Sequence, residues 1–216
     1  MINKFSEKRR CNYKRTMKVK YIMVLLCALS TLSIMAQGCK QAVTSKTEKK
    51  EMKTLTVYYS FTAGNTKRIA ERVQQAIGGD IVRLETVKPY PSDYQEAVNQ
   101  GNEEVKRGYK PALKPLGVDI NDYDRIIVGT PTWWYKMAPA VLSFLSSNNL
   151  KGKIVVPFMT NAGWPGSVIE DMTDLAQKKG ATVQDAHEFR FSSDEQHFDR
   201  MITSEREVNE WIERLK

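Results

Sequence analysis

The larger part of this 216-residue chain lacks cysteine, because all three cysteines lie within the first 39 residues, at Cys11, Cys27 and Cys39. Residues 54–216 therefore offer no thiolate nucleophile, no disulfide and no cysteine-ligated metal site. The two histidines, His187 and His197, lack metal-ligand spacing, and we interpret them as ordinary surface or loop residues without a metal. A Gly-x-Ser-x-Gly elbow is also missing, so a Ser-His-Asp hydrolase finds no support.

Residues 54–216 also lack an excess of positive charge, although the whole chain has a formal net charge of +8. Eight Lys/Arg residues and one acid lie in residues 1–39, whereas residues 54–216 contain 20 Lys/Arg and 22 Asp/Glu residues. A segment with a net charge of −2 has no basic stripe for a phosphodiester backbone. We therefore predict no nucleic-acid partner.

The positive charge lies instead near the start of the chain, in a pattern that predicts an export signal. Basic residues up to Lys20 precede the apolar run 21–29, and small residues follow. This order is typical of a secretory signal peptide, and the apolar run is short for a membrane span of ~20 residues. We predict a signal peptide over residues 1–38, with Met17 as an alternative start to Met1.

Gly38-Cys39 resembles the cleavage point of bacterial lipoproteins, where the cysteine becomes lipidated. The alternative is ordinary cleavage after Ala36, which would give a soluble periplasmic protein. Residues 39–53 are polar and lack apolar periodicity, as is typical of a flexible tether. We expect an exported cell-envelope protein, held at the membrane surface through Cys39.

Residues 54–216 have the length of one domain, and strand-like and helix-like segments alternate along them five times. This alternation predicts an α/β fold with a parallel sheet covered by helices on both faces, in the doubly wound order 2-1-3-4-5. The predicted strands lie near residues 55–59, 80–85, 124–130, 153–159 and 181–190. The predicted helices lie near residues 66–77, 92–107, 138–145, 167–179 and 204–215, with capping boxes at Ser92 and Ser204.

The most informative segment is the loop between the first strand and the first helix, Ser60-Phe61-Thr62-Ala63-Gly64-Asn65-Thr66. Its hydroxyls and backbone N–H groups, together with a helix start at about Thr66, predict a phosphate site. The loop contains no lysine or arginine, which argues against a Walker-type nucleotide loop. Taken alone, this segment is also compatible with a tight turn that binds nothing.

Two more loops follow predicted strands, Pro131-Thr132-Trp133-Trp134-Tyr135 and Thr160-Asn161-Ala162-Gly163-Trp164. Ligands of open α/β sheets bind outside the carboxyl ends of the strands, so the three loops should meet at one ligand with a phosphate and a flat ring. Three adjacent aromatic residues cannot all point inward, so one of the two tryptophans can cover that ring while the other packs beneath it. Gly163 and Gly166 allow a close approach to the ring edge, and Trp164 is either a core anchor or part of this wall.

These loops resemble those of the flavodoxin family, over Tyr59–Thr66, Gly129–Trp134 and Thr160–Gly163, within a resemblance that extends from about residue 53 to residue 216. The resemblance implies a flavodoxin-like fold and FMN as the cofactor, with the phosphate on the first loop and the isoalloxazine ring between the other two. The family usually has Ser-x-Thr-Gly-Asn-Thr, so Ala63 either lengthens the loop or takes the threonine position.

The resemblance assigns cofactor binding to Ser60, Phe61, Thr62, Ala63, Gly64, Asn65, Thr66, Pro131, Thr132, Trp133, Trp134, Tyr135, Thr160, Asn161, Ala162, Gly163 and Trp164. No catalytic residue is assigned, because the flavin carries the redox chemistry.

Three functions agree with these features. The first is an exported flavodoxin-like protein that transfers electrons to or from a quinone or a protein partner. The alternative is an NAD(P)H-dependent quinone or FMN reductase, which the weakly acidic charge of the domain slightly favours, although export makes cytosolic NAD(P)H an awkward donor. The third is a lipoprotein with a degenerate flavin site that only binds a partner.

Overall fold

The computed structural model describes residues 52–216, so the signal peptide, Cys39 and most of the tether lie outside the described residues. The strands are β1 Thr54–Tyr58, β2 Asp80–Arg83, β3 Arg125–Trp133, β4 Lys136–Met137, β5 Ile154–Asn161, β6 Thr182–Val183 and β7 His187–Arg190. The helices are α1 Asn65–Ile77, α2 Tyr94–Lys106, α3 Pro139–Ser147, α4 Val168–Lys178 and α5 Glu205–Arg214, with a 3-10 turn at Ile120–Asp122. None of the helices within residues 52–216 combines the length and the hydropathy that a bilayer span requires.

The sheet has the order β2-β1-β3-β5-β6, with β7 also paired to β5, and these neighbours are all parallel. The predicted doubly wound α/β architecture is confirmed, but its fifth strand is divided into β6 and β7. The division lies at Asp185, which has a left-handed φ of 47° that no regular strand accommodates. The indole of Trp211 donates a hydrogen bond of 2.6 Å to the Asp185 carbonyl and holds this bend.

Both faces of the sheet are buried, because alternate residues of the central strands pack against different helices. On one face, Leu55 and Val57 belong to a core that includes side chains of α3 and α4. On the other face, Tyr58 and Ile127 pack with side chains of α1 and α5. Gly129 lies where the sheet has no room for a side chain, since a Cβ there would be 2.2 Å from the Phe158 ring.

At the starts of helices α1 and α2, the sequence prediction and the structure differ by one residue. Helix α1 begins at Asn65 rather than Thr66, because Gly64 forms its N-cap. Asp93, not Ser92, caps α2, and its side chain accepts a 2.8 Å hydrogen bond from the Glu96 N–H. The predicted cap at Ser204 is confirmed, with a 3.2 Å bond from the Glu207 N–H.

Candidate functional site

A cavity of about 560 Å³ opens at the carboxyl ends of β1, β3 and β5. Its size is within the range of small-molecule and cofactor sites. The three predicted loops meet there, and every residue assigned from the sequence lines the cavity except Gly163. The remaining lining residues were not predicted from the sequence, and they are Tyr94, Ala97, Val98, Gly101, Ser192, Ser193, Glu195 and Phe198.

One end of the cavity is the N-terminus of α1. Gly64 has a φ of 73°, and its N–H donates a 3.2 Å hydrogen bond to the Phe61 carbonyl, so the loop turns sharply into the helix. Within the described chain no side chain caps this helix. The first N–H groups of a helix have no partner inside it, and they carry its partial positive charge. This end is therefore suited to an anion such as a phosphate.

Two threonine hydroxyls join the first loop to the third. Thr66 Oγ1 and Thr160 Oγ1 are 2.7 Å apart, and both side chains are buried. Each hydroxyl can donate one proton, and their mutual bond uses only one of the two. The other proton can therefore be donated to a further acceptor at this end of the cavity.

A fourth loop, residues 192–200, closes the same end of the cavity. Asn65 Nδ2 donates a 2.9 Å bond to the Phe198 carbonyl, and Arg68 donates a 3.2 Å bond to the Asp199 carbonyl. The Asn65 side chain thus holds a neighbouring loop. The sequence carried a usable signal, since Ser192 and Ser193 lie one residue beyond the last strand, at the ligand-binding edge.

Another part of the cavity wall is aromatic. The Trp133 ring packs edge-on against Tyr59, Phe61 and Tyr90, with centroid distances of 5.7, 5.6 and 4.9 Å. Gly101 of α2 makes room for it, because a Cβ there would lie 2.9 Å from the indole. Trp133 therefore packs within the wall of the cavity rather than projecting freely into it.

Trp134 differs from its neighbour in being 46% exposed. Its indole Nε1 donates a 3.2 Å hydrogen bond to the Val98 carbonyl of α2, which orients the ring at the mouth of the cavity. Tyr135, also at the mouth, is 54% exposed. Of the two tryptophans, Trp133 is the packed one and Trp134 the exposed one, and stacking of Trp134 on a flavin ring stays a prediction.

The aromatic segment is a hairpin, not a loop after a strand that ends at Thr130 as predicted. Strand β3 continues to Trp133, which pairs antiparallel with Lys136. The two turn residues, Trp134 and Tyr135, have φ values of 50° and 64°. Such turns normally use Asn or Gly, so two bulky residues here indicate strain of the kind that occurs at functional sites.

The third loop is fixed by the side chain of Asn161. Its Oδ1 accepts a 2.7 Å bond from the Gly163 N–H, and its Nδ2 donates a 2.9 Å bond to Glu188. Gly163, with a φ of 106°, backs onto the Arg190 guanidinium and not onto the cavity. Trp164 is 57% exposed at the mouth, so the core-anchor alternative is wrong.

The wall behind Trp133 contains a buried carboxylate. Glu104 is 5% exposed and accepts a 2.5 Å bond from the Tyr90 hydroxyl and a 2.8 Å bond from Gln100. Burial, reinforced by this carboxylate, raises the pKa of Tyr90, and burial also raises the pKa of Tyr59. Both phenols therefore stay protonated at neutral pH.

The histidines lie away from this cavity. His187 is not a loop residue as expected, because it lies in β7 and stacks on Trp211 at a centroid distance of 5.6 Å. Burial lowers its pKa, although the Glu207 carboxylate is 3.3 Å away. His197 is exposed and lies 2.9 Å from Asp194. The described residues contain no group of His, Cys, Asp and Glu side chains that could hold a metal ion.

Comparison with known proteins supports the resemblance noted in the sequence. A protein of Bacteroides eggerthii described as a flavoprotein is 28% identical, with a TM-score of 0.59 over 75% of this chain and 96% of that chain. A similar protein of Bacteroides uniformis is 24% identical, with a TM-score of 0.61 over 75% and 98%. A Lactobacillus acidophilus flavoprotein solved in complex with FMN is 23% identical, with a TM-score of 0.56 over 63% and 92%.

A comparison with curated proteins found no match. The family model described as Flavodoxin, however, matches residues 53–215, which is most of the chain and all but the last residue of the domain. The sheet order, the three converging loops and this match agree with one another. The chain therefore belongs to the flavodoxin family.

Proposed function

We propose that this protein binds FMN and transfers electrons to or from a quinone or a protein partner. The observation that carries the proposal is one cavity lined both by a helix N-terminus that no described side chain caps and by an aromatic turn. FMN has the matching shape, with a phosphate and a flat ring. The FMN complex of the Lactobacillus acidophilus relative supports the same ligand.

The residues present fit this cofactor. Hydroxyls of Ser60, Thr62 and the Thr66–Thr160 pair, with the first N–H groups of α1, would hold the phosphate through neutral donors. Trp134 and Tyr135 would lie against the ring and exclude water from it. Bound FMN supplies the redox chemistry, and this chain supplies binding and orientation.

A titration of the apo-protein with FMN and with riboflavin tests the proposal. We expect one FMN per chain, bound more tightly than riboflavin because only FMN carries the phosphate. Ser60→Ala should weaken FMN alone, and Ser92→Ala, at an exposed residue that does not line the cavity, serves as the control. Equal affinity for both flavins would contradict the phosphate site, and binding of neither would contradict the flavin function.

The alternative, an NAD(P)H-dependent quinone or FMN reductase, is favoured by the character of the cavity mouth. Several exposed aromatic side chains surround it, namely Tyr94, Trp134, Tyr135, Trp164 and Phe198. Such a mouth suits a planar small molecule, and the net charge of −2 over residues 54–216 is weak for an acidic electron carrier. Steady-state oxidation of NAD(P)H with a quinone would support the reductase, and a colourless protein that binds no flavin would support the non-redox alternative.

We also propose export and anchoring at the membrane through Cys39. Strand β1 begins at Thr54, and the cavity lies at the other end of this strand. Several acyl chains are needed for stable anchoring, since one chain binds only marginally. The full chain should fractionate with membranes and its Cys39→Ser variant should not. Two soluble forms that both begin at Gln37 would show ordinary cleavage instead.

A further inference from the structure

We infer that Lys136, Ser167 and Asp171, which do not line the cavity, are positioning residues for the aromatic turn at its mouth. The inference rests on the proposed FMN site, because the turn matters only if it covers the flavin ring. These residues join the second and third loops into one wall. Their effect should therefore appear at the ring end of the ligand and not at its phosphate.

The turn needs external support because its backbone is unfavourable for its residues. Trp134 and Tyr135 both adopt left-handed φ values, 50° and 64°, which bulky L-residues rarely adopt. The hairpin has only two paired positions on each strand to hold it, Thr132 with Met137 and Trp133 with Lys136. Strain of this kind persists only where the surroundings determine the conformation.

The support is a compact polar cluster at the start of α4. The Ser167 N–H donates a 3.1 Å bond to the Tyr135 carbonyl, and Lys136 Nζ donates a 2.8 Å bond to Ser167 Oγ. Lys136 also lies 2.9 Å from the Asp171 carboxylate, which accepts a 2.8 Å bond from Ser167 Oγ. Two consecutive residues of the hairpin, Tyr135 and Lys136, are thus bound to one serine.

Gly166 allows the two loops to meet this closely. It has a φ of 59°, and a Cβ on it would lie 2.1 Å from the Tyr135 carbonyl oxygen. From the sequence, we expect Gly166 to allow a close approach to a ring edge. In the structure, its close approach is to the neighbouring turn, which explains a glycine immediately before Ser167.

We call the cluster of Lys136, Ser167 and Asp171 the clamp, and it can be tested by removing its charges one at a time. Lys136→Met and Asp171→Asn should each weaken FMN and riboflavin by the same factor, about two- to fivefold, as expected for a half-exposed charged pair. Quenching of flavin fluorescence should fall in parallel, and Lys136→Arg should restore both. The loss in the double variant should be smaller than the sum of the two single losses, because both substitutions remove the Lys136–Asp171 contact.

A matched control is Lys114→Met, which removes a similarly exposed ion pair between Lys114 and Glu85, 2.7 Å apart. Neither of these two residues lines the cavity. It should leave flavin affinity and quenching unchanged. Hydrogen exchange of the Ser167 amide in the apo-protein gives a readout without ligand, and this amide should exchange faster in Lys136→Met than in Lys114→Met.

The outcomes separate this inference from the proposed function. If the wild type binds no flavin, the proposed function fails, and faster Ser167 exchange still shows that the clamp holds the turn. If Lys136→Met lowers the unfolding midpoint but leaves flavin affinity, quenching and Ser167 exchange unchanged, the clamp is only a surface ion pair and the inference is wrong. A loss of FMN affinity without a loss of riboflavin affinity would also overturn it.

Discussion

The two ends of the cavity are built in different ways. The phosphate end is largely one continuous segment, Ser60–Thr66, in which Gly64 turns the chain and α1 presents its N-terminus. The ring end combines the β3–β4 turn, helix α2 and the segment 160–167, which are far apart in the chain. The first end depends on local backbone geometry, whereas the second depends on contacts between distant segments that hold a strained turn.

This difference determines what each end can recognise. Neutral donors and a helix N-terminus distinguish ligands by their charge, so the phosphate end should separate FMN from riboflavin. Aromatic rings contribute area and stacking to any flat ligand, so the ring end should bind both flavins alike. The pair FMN and riboflavin therefore reports on the two ends separately.

Trp133→Ala should give the largest effect and should act on folding. The ring is half-buried against Tyr59, Phe61 and Tyr90, and its removal leaves a cavity. We expect the free energy of unfolding to fall by about 3 kcal/mol, at the low end for a Trp→Ala change because burial is incomplete. Urea denaturation of the apo-protein measures this. A loss below about 0.5 kcal/mol, typical of surface changes, would show that Trp133 is not part of the packed wall.

Trp134→Ala should instead act on binding. The side chain is 46% exposed at the mouth, so unfolding should change little. We expect the affinity for FMN and for riboflavin to fall by ~1–3 kcal/mol, taking stacking of a base on an aromatic residue as the analogue. Flavin fluorescence should recover, because the indole no longer quenches it. Unchanged affinity and quenching would place the ring of the flavin elsewhere.

The contrast between the ends also explains which features could be predicted from sequence. The Ser60–Thr66 loop was predictable because strand, turn and helix start follow one another in the chain. The burial of Trp133, the exposure of Trp164 and the wall formed by residues 192–200 were not, because distant residues decide each of them. The bend at Asp185 likewise depends on the Trp211 indole, a contact that no local pattern announces.

Thr66→Ala should separate the two ends. It removes one hydroxyl of the Thr66–Thr160 pair at the start of α1. FMN should bind more weakly by ~1–2 kcal/mol, the range for a hydrogen bond to a charged group, and riboflavin should be unaffected. The control is Thr173→Ala, a helical threonine that does not line the cavity. An equal loss for riboflavin would mean that the hydroxyl supports the fold of the cavity rather than the phosphate.

A third region, strand β7, should make the stability of the protein depend on pH through His187. Burial lowers the pKa of His187, so the unfolded chain binds more protons than the folded chain between the folded pKa and ~6.5. Stability should therefore fall as the pH falls from ~6.5 to the folded pKa. His187→Gln should flatten this slope in urea denaturation. The phosphate of FMN also titrates at about pH 6. The pH dependence of FMN binding should therefore be measured in His187→Gln, where His187 no longer contributes. An unchanged slope would assign the proton to another group.

Glu195→Gln should have the smallest effect on FMN affinity, and it should raise this affinity rather than lower it. Among the described residues that line the cavity, Glu195 is the only one with a charged side chain, and it lies on the loop that Asn65 holds at the phosphate end. Its negative charge should repel the FMN phosphate, although solvent exposure weakens this repulsion. Removal of the charge should therefore raise the affinity for FMN by about two- to fivefold and leave the affinity for riboflavin unchanged. The control is Asp199→Asn, which removes an equal charge from the same loop outside the cavity. The gain should disappear in ~1 M salt, where charges interact over only about 3 Å. Weaker FMN binding instead would mean that the carboxylate accepts hydrogen bonds from the ligand, which would make this loop part of the binding site.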